Sequence, residues 1–511
     1  MTEEKKAVVS TKSGKLEGVY EDGLHKFRGI PYAEPPVGKL RWLPPQPVKP
    51  WDGIRPAKKY GAMAPQIAAA APRDFPGAPD FGDVPQSEDC LYLNIWTPGL
   101  DDGKRPVFFW IHGGGFTIGS GSETFLDKGV LAQRGDIVMV SINYRLGAAG
   151  FLNLKEITGG AIPSTGNEGI LDQAAALAWV QDNIARFGGN PDNITIAGFS
   201  AGGMSVGTLL ALPAAKGRFC KAVNRSGAAN MVGTPAEALA IAQEFLGIFG
   251  LKGNDIDGIR NLSTEKLLDG QTGVGELMRQ RGKNPLVFQP IVDGVILPHK
   301  PMDAIRQGYA RQVTVMAGTS RDELKSSSAG DPSLKNLDDD GLVKRLSASL
   351  PDTIIPGLIA AYRKSLTDAG KPAAAADIFS CIDTDALFRI PTLRLIEAQQ
   401  QHGARAFNYL FTYPSPAMGG ILGAMHGLDN PFLFGALDRE FTGNGEKQQK
   451  LAETIQDSCA AFMHTGNPSC RSAGEWPEYG NTRKTMVFDT DTRIEEDVFG
   501  EEREAWDKYT L

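Results

Sequence analysis

Cysteine is scarce in this chain, with five residues among 511 and no C-x-x-C pair. This scarcity argues against a disulfide-dense scaffold, and the missing spacing argues against a zinc ribbon. Free thiols are therefore expected, although a bridge between Cys459 and Cys470 stays open from the sequence alone.

Long apolar runs are also missing. The longest candidates, 107–111 and 137–142, fall far short of the roughly 18–20 residues that span a bilayer, and their length is typical of buried strands. The charged residues at positions 3–6 are not followed by an apolar segment, so no signal peptide is visible. The sequence thus predicts no membrane partner and a cytoplasmic location, although a trimmed secreted form would look the same.

Positive charge is not in excess, since 53 Lys and Arg stand against 60 Asp and Glu, a net charge of −7. A large basic surface for nucleic acid is therefore not expected. Hydrophobic residues make up 41% and charged residues 22%, which is ordinary for a globular protein. No repeat or linker divides the chain, which predicts one domain over residues 1–511; the sequence leaves its oligomeric state open.

Short apolar runs alternate with amphipathic helical patterns along the chain. The runs that predict strands lie at 107–111, 137–142, 194–197, 313–317 and 406–411. Helical spacing predicts helices over 169–187, 204–212, 235–250 and 391–402. Together these patterns predict an α/β fold with a central, mostly parallel sheet, flanked by helices and carrying helical insertions. The segment 62–85, rich in Ala, Pro and Gly, predicts a long loop.

The residues from Gly198 to Gly202 read G-F-S-A-G and lie between a predicted strand and a predicted helix. This G-x-S-x-G motif is typical of the α/β-hydrolase fold, in which the serine stands on a strained turn above the sheet. Small flanking residues are needed there to avoid clashes. The motif makes Ser200 the predicted nucleophile.

Three glycines follow the predicted strand that ends at Ile111, in the sequence H-G-G-G-F from His112. Glycines in such a loop let backbone N–H groups point at a substrate oxygen without obstruction by side chains. The pattern is that of an oxyanion-hole loop, which acts with the amide after the nucleophile. The predicted donors are the amides of Gly114, Gly115 and Ala201.

A catalytic base must follow the serine in this fold, and only six histidines exist. Two of them, His25 and His112, precede the serine. Of the rest, His402 and His464 lie in helical patterns, and His299 follows too closely to leave room for an acid. His426 lies in a small-residue loop after a predicted strand, which favours it as the base.

The acid is open from the residues alone, because 60 carboxylates compete. The loop after the predicted strand 313–317 carries both Asp322 and Glu323, and either fits.

Several segments resemble the type-B carboxylesterase family, which includes bacterial para-nitrobenzyl esterases, mammalian carboxylesterases and cholinesterases. The likeness runs from about Gly14 to the region of Trp476. The shared segments are F-R-G-I-P-Y-A from Phe27, S-E-D-C-L-Y-L-N from Ser87, N-Y-R-L-G from Asn143, F-G-G-N-P from Phe187, P-I-V-D-G from Pro290 and T-G-N-P from Thr465.

The resemblance implies a Ser-Glu-His triad. The family's acid lies in a loop that aligns with 318–323, which favours Glu323 over Asp322. Its histidine lies in a G-x-x-H-G segment followed by an acidic residue, which matches His426 and Asp429. The resemblance also implies scaffold roles for two ion pairs, Arg41 with Glu88 and Arg145 with Asp172.

Two departures from the family bear on function. Many relatives have Glu immediately before the nucleophile, whereas this chain has Phe199, which argues against a cationic choline ester. The cysteine that usually pairs with the one matching Cys90 is replaced by Ala64, so Cys90 is expected to stay reduced.

These observations predict a serine carboxylic-ester hydrolase that works through an acyl-enzyme, with water and a small ester as partners and without metal or cofactor. An amidase or carbamate hydrolase is the alternative, and a non-catalytic binding protein of the same fold is a more distant one. Apolar side chains predict a pocket for neutral aryl or alkyl esters, with at least two of them expected to fill the core instead: Phe116, Phe199, Phe288, Phe432 and Phe434.

Overall fold

The computed structural model describes residues 7–67, 76–281, 284 and 286–509. Its strands are β1 Val8–Ser10, β2 Lys15–Glu17, β3 Val19–Glu21, β4 Leu24–Pro31, β5 Ile54–Pro56, β6 Tyr92–Thr97, β7 Arg105–Ile111, β8 Val138–Ile142, β9 Gly189–Phe199, β10 Lys221–Arg225, β11 Thr314–Ser320, β12 Ala406–Phe411, β13 Lys484–Phe488 and β14 Arg493–Glu496.

The α-helices are α1 Val130–Gly135, α2 Gly147–Phe151, α3 Glu168–Asn183, α4 Ala201–Leu209, α5 Pro235–Ile248, α6 Ile256–Arg260, α7 Thr264–Gln280, α8 Pro301–Arg306, α9 Lys325–Ala329, α10 Asp339–Leu346, α11 Ile355–Asp368, α12 Ala375–Thr384, α13 Ile390–Gln400, α14 Asp429–Phe434, α15 Glu446–Thr465 and α16 Gly500–Asp507. A π-helical turn, Asp385–Arg389, joins α12 to α13.

One large sheet organises the described chain, with strand order β14-β13-β12-β11-β10-β9-β7-β8-β6-β4-β3. The strands from β8 to β13 in this order pair in parallel, whereas β14, β6, β4 and β3 join antiparallel at the two edges. The predicted parallel sheet is confirmed, and each predicted strand lies within or overlaps an observed one. A small sheet, β1-β2-β5, stands apart.

The two faces of the sheet contact two separate apolar cores. Along β7, Phe109 points into the core that contains Leu177 of α3, whereas Phe108 and Trp110 point into the core that contains Phe462 of α15. This alternation follows from the two-residue period of a strand. Because both faces are covered, β7 reads as a continuous apolar run rather than an alternating one.

Two buried or half-buried ion pairs brace the loops beside the sheet, and both were expected from the family. The guanidinium of Arg145 donates to Asp172 at 2.8 and 2.7 Å, and that of Arg41 donates to Glu88 at 2.7 and 2.5 Å. All five thiols are free, so Cys459 and Cys470 form no bridge.

The described parts of the predicted loop 62–85 contain no helix or strand apart from an isolated bridge between Met63 and Gln86. Its residues 68–75, like the charged residues 3–6, lie outside the described chain. Among the helices that the structure describes, none is long and apolar enough to cross a membrane.

Candidate active site

Ser200 occupies the sharp turn between β9 and α4. Its backbone angles, φ 56° and ψ −124°, lie in a region that a residue with a side chain rarely adopts. The turn is bound to the neighbouring strand β10, because the Ser200 amide donates to the carbonyl of Arg225 at 3.0 Å. A strained serine at a strand–helix junction is the arrangement that projects a nucleophilic hydroxyl above the sheet.

The flanking glycines are required by close backbone contacts. A Cβ at Gly198 would lie 2.3 Å from the carbonyl carbon of Gly202, and a Cβ at Gly202 would lie 2.1 Å from the Ile111 carbonyl oxygen. Neither contact can be relieved by moving a side chain. The G-x-S-x-G spacing is therefore explained by close backbone packing, within the turn at Gly198 and against the end of β7 at Gly202.

The glycine loop after β7 lies directly against the nucleophile. A Cβ at Gly113 would come within 3.1 Å of the Ser200 Cβ. Gly114 and Gly115 have φ values of 106° and 60°, which side-chain-bearing residues rarely adopt. Among the described residues, none accepts a hydrogen bond from the amides of Gly114, Gly115 or Ala201. These three N–H groups are free to receive a substrate oxygen.

His426 and Glu323 are in contact. The Nδ1 atom of His426 lies 2.5 Å from Oε2 of Glu323, whose side chain is wholly buried. The other carboxylate oxygen accepts from the Ser320 amide at 2.7 Å, which fixes the orientation of the carboxylate. A carboxylate at Nδ1 favours the tautomer with hydrogen on that nitrogen, so Nε2 is left free to accept a proton.

Asp322, the other candidate acid, has a different role. Its Oδ2 accepts from the Ala424 amide at 2.9 Å and from the Arg321 guanidinium at 2.8 Å. Burial acts to raise the pKa of Asp322, but the bond and charge of Arg321 outweigh it and the pKa lies below its usual value. Asp322 thus joins the loop after β11 to the segment that carries His426.

The imidazole lies beside the residue that precedes the nucleophile. The rings of His426 and Phe199 are 4.5 Å apart, and a Cβ at Gly427 would lie 2.8 Å from the end of the Phe199 ring. No hydrogen bond joins Ser200 to His426 among the described residues. Such catalytic contacts are often long in the absence of substrate and shorten in the complex.

Two apolar residues beside the site were not predicted. Phe388 lies on the π-helical turn, and its ring is 4.9 Å from that of His426. Leu286, an exposed side chain, lies over the oxyanion loop, since a Cβ at Gly115 would be 3.2 Å from its Cδ2. Neither position carries a local sequence signal, because only the folded chain brings these segments to the serine.

Four of the phenylalanines predicted for the pocket lie in the core instead. Phe432 and Phe434 are almost fully buried, the first against Phe411 and the second against Trp110. Phe116 and Phe288 are also buried, each with 2% of its surface exposed. At least two of the five were expected to fill the core, because an apolar residue near the motif fills the core as readily as it lines a cleft. Of the five, Phe199 alone is partly exposed, and it lies beside His426.

A buried ion pair that was not predicted from the sequence lies beneath the site. The Arg225 guanidinium donates to Asp429 at 2.6 Å, with the two side chains 4% and 1% exposed. Burial acts to lower the pKa of Arg225, but the charge of Asp429 outweighs it and the pKa is raised; Glu323 contributes in the same direction. The pair joins the strand beneath Ser200 to the helix that follows His426.

The comparisons with known proteins agree with this geometry. The model of the carboxylesterase family matches residues 5–506. The chain belongs to the carboxylesterase family. It is 37% identical to the para-nitrobenzyl esterase of Bacillus subtilis (strain 168), over 97% of this chain and 98% of that protein. It is 35% identical to the phenmedipham hydrolase of Pseudarthrobacter oxydans, over 92% of each.

A solved carboxylesterase from Geobacillus stearothermophilus superimposes on this chain with a TM-score of 0.86 and 36% identity, covering 98% of this chain and all of that one. This carboxylesterase therefore has the predicted α/β-hydrolase fold, and it is a carboxylic-ester hydrolase. Within the described residues, no group of three or more His, Cys, Asp and Glu is placed to hold a metal ion.

Proposed function

We propose that Ser200, His426 and Glu323 form the catalytic triad of this carboxylesterase. His426 takes the hydroxyl proton as Ser200 attacks the ester carbonyl, and the alcohol leaves with that proton. Water then attacks the acyl-enzyme with His426 again as base. The observation that carries this proposal is the 2.5 Å contact between His426 and the buried Glu323 carboxylate, beside a strained serine.

The amides of Gly114, Gly115 and Ala201 hold the oxyanion of each tetrahedral intermediate. These amides are unengaged; Gly114 and Gly115 lie on the loop that packs against Ser200, and Ala201 directly follows Ser200 at the start of α4, which supports this role. Losing one such donor typically costs about 2.7–4 kcal/mol of transition-state stabilisation.

The preferred substrates are neutral aryl or alkyl esters. Two apolar side chains that keep some exposure, Phe199 and Leu286, lie beside the site, and no carboxylate stands at position 199 to attract a cationic alcohol group. The similarity to a protein named para-nitrobenzyl esterase supports an aryl ester. A carbamate is the second candidate, because another relative is named phenmedipham hydrolase.

Single substitutions test the triad. Ser200→Ala should lower kcat on a para-nitrophenyl ester by about 10⁴-fold or more, without loss of folding. Glu323→Gln should lower kcat by about 10⁴-fold, because it leaves the imidazole unsupported. The neighbouring Asp322→Asn serves as the matched control and should cost less than about tenfold. Equal losses for the two acid variants would contradict the assignment of Glu323.

The substrate is tested by comparing a para-nitrophenyl ester, the matching anilide and the matching aryl carbamate. The ester should have the highest kcat/KM: its phenolate leaves more readily than the amine of the anilide, and its carbonyl is more electrophilic than that of the carbamate, into which nitrogen donates electrons. A carbamate turned over faster than the ester would favour the second candidate.

A further inference from the structure

A cavity of about 310 Å³ lies on the far side of the catalytic loop. Its walls come from the segment after β11, the helices α11 and α12, and the π-helical turn. Small-molecule sites commonly occupy roughly 300–1,000 Å³, so the cavity has room for a small ligand.

Three cationic side chains lie together at one end of this cavity: Arg321, Lys325 and Lys371. Arg321 is paired with Asp322, whereas neither Lys325 nor Lys371 forms an ion pair in the part of the chain that the structure describes, although the charge of Asp322 acts on both. Burial lowers the pKa of Lys371, and the nearby charges of Arg321 and Lys325 lower it further. Cations that crowd together in this way would be stabilised by an anion between them.

The remainder of the wall is partly apolar. Leu366, Leu410 and Phe499 line it, together with the ring of Tyr362. The carboxylates that line the cavity have other partners. Asp322 pairs with Arg321, Asp377 accepts from the Ala374 amide, Asp385 accepts from Arg389, and Glu502 accepts from the Ser365 hydroxyl. The cavity therefore offers a cationic end and an apolar wall to one small molecule.

We propose that this cavity binds a monocarboxylate with an apolar tail and that its occupancy slows turnover. The carboxylate lies between Lys325 and Lys371, and the tail lies along Leu366 and Phe499. The acid released by ester hydrolysis has this chemistry, so the site would sense the product of the enzyme. This last link rests on the proposed function, whereas the binding itself does not.

Three contacts connect the cavity to the triad. Asp322 lines the cavity and binds the Ala424 amide, two residues before His426. Thr384 also lines it and accepts from the Leu324 amide, next to Glu323, at 3.2 Å. The π-helical turn supplies Asp385 and Arg389 to the cavity and Phe388 to the imidazole. A ligand in the cavity therefore touches the segments that position both His426 and Glu323.

Binding is tested with octanoate by calorimetry on enzyme inactivated with para-nitrophenyl octylphosphonate, which fills the acyl pocket after reacting with the nucleophile. We expect octanoate to bind the inactivated enzyme at one site. Absence of binding would overturn the proposal. Failure of the phosphonate to label Ser200 would instead count against the proposed nucleophile. In that case, comparing octanoate binding to the unlabelled wild type and to the lysine variants described next would still test the cavity.

The variant Lys325→Gln with Lys371→Gln should weaken octanoate binding about tenfold, equivalent to about 1.4 kcal/mol for two partly exposed ion pairs. Lys335→Gln, an exposed lysine outside the cavity, is the matched control and should change nothing. Equal affinities for the double variant and the wild type would overturn the site.

Steady-state kinetics test the effect on turnover. Octanoate should lower kcat in the wild type, and the double variant should lose this effect while keeping any rise in KM from binding at the active site. Its kcat without octanoate should match that of the wild type. Inhibition of the wild type through KM alone would overturn the proposed coupling.

Discussion

The ion pair of Arg225 and Asp429 allows a quantitative test of how the site is supported. Both side chains are almost fully buried, and the guanidinium nitrogen lies 2.6 Å from the carboxylate oxygen. For charge centres about 4 Å apart at an effective dielectric constant of about 20, the attraction is about 4 kcal/mol. Removing one partner also leaves the other charge buried, and such changes typically cost about 3–5 kcal/mol.

We therefore expect Asp429→Asn and Arg225→Gln each to lower the free energy of unfolding by about 3–5 kcal/mol. The double variant places two neutral amides in the same space, so it should cost less than the sum of the two single changes by at least about 2 kcal/mol. Urea titrations followed by tryptophan fluorescence and by far-UV circular dichroism measure these differences in the first unfolding transition.

Activity gives a second readout of the same cycle. Arg225 lies on β10, whose backbone binds Ser200, and Asp429 lies on the helix that follows His426, so loss of the pair should also disturb how these two residues are placed. We therefore expect kcat/KM on a para-nitrophenyl ester to fall in each single variant. Strictly additive stability losses, together with an unchanged kcat/KM, would refute the reasoning.

Two further predictions concern single positions. Burial raises the pKa of Glu123 to about 8. The folded state therefore keeps a proton that the unfolded chain releases near pH 4.5. Because the folded state binds more protons in this range, the free energy of unfolding should fall from pH 5 to pH 9. Glu123→Gln mimics the protonated form. It should be about 2 kcal/mol more stable than the wild type at pH 9, a gain limited by the partial solvent contact of the side chain, and nearly equal in stability at pH 5. Equal stability differences at both pH values would contradict this. Gly113→Ala should lower kcat/KM about 100-fold and also lower the thermal midpoint, because its Cβ would lie 2.9 Å from the Phe199 carbonyl oxygen and 3.1 Å from the Ser200 Cβ and so displaces the turn that carries Ser200. Gly247→Ala, whose Cβ would meet no atom within 4 Å, is the control and should leave kcat/KM unchanged; a similar loss in both variants would show that the contact with Ser200 is not the cause.

The elements that depend on neighbouring residues were predictable from the sequence. The apolar run 107–111 followed by glycines, and the run 194–197 followed by G-F-S-A-G, both predicted a strand that ends at a catalytic loop, and β7 and β9 end there. The choice of His426 rested on elimination among six histidines, and the contact with Glu323 agrees with that choice.

The elements that depend on distant residues were not predictable in this way. Arg225 and Asp429 are 204 positions apart, and neither position has a local pattern that predicts the other. Phe388 lies on the π-helical turn between two helices, and its contact with His426, on a later segment of the chain, likewise has no local pattern that predicts it. The burial of Phe432 was not predictable either, since hydrophobicity alone does not distinguish a core residue from a pocket residue.

The backbone angles of Ser200 restrict which residues can ever serve as the nucleophile. A β-branched side chain is strongly disfavoured at φ 56°, so threonine cannot replace serine there without rebuilding the turn. Cysteine has the same branching as serine and fits the same backbone. The turn thus restricts this position to nucleophilic residues that are unbranched at Cβ.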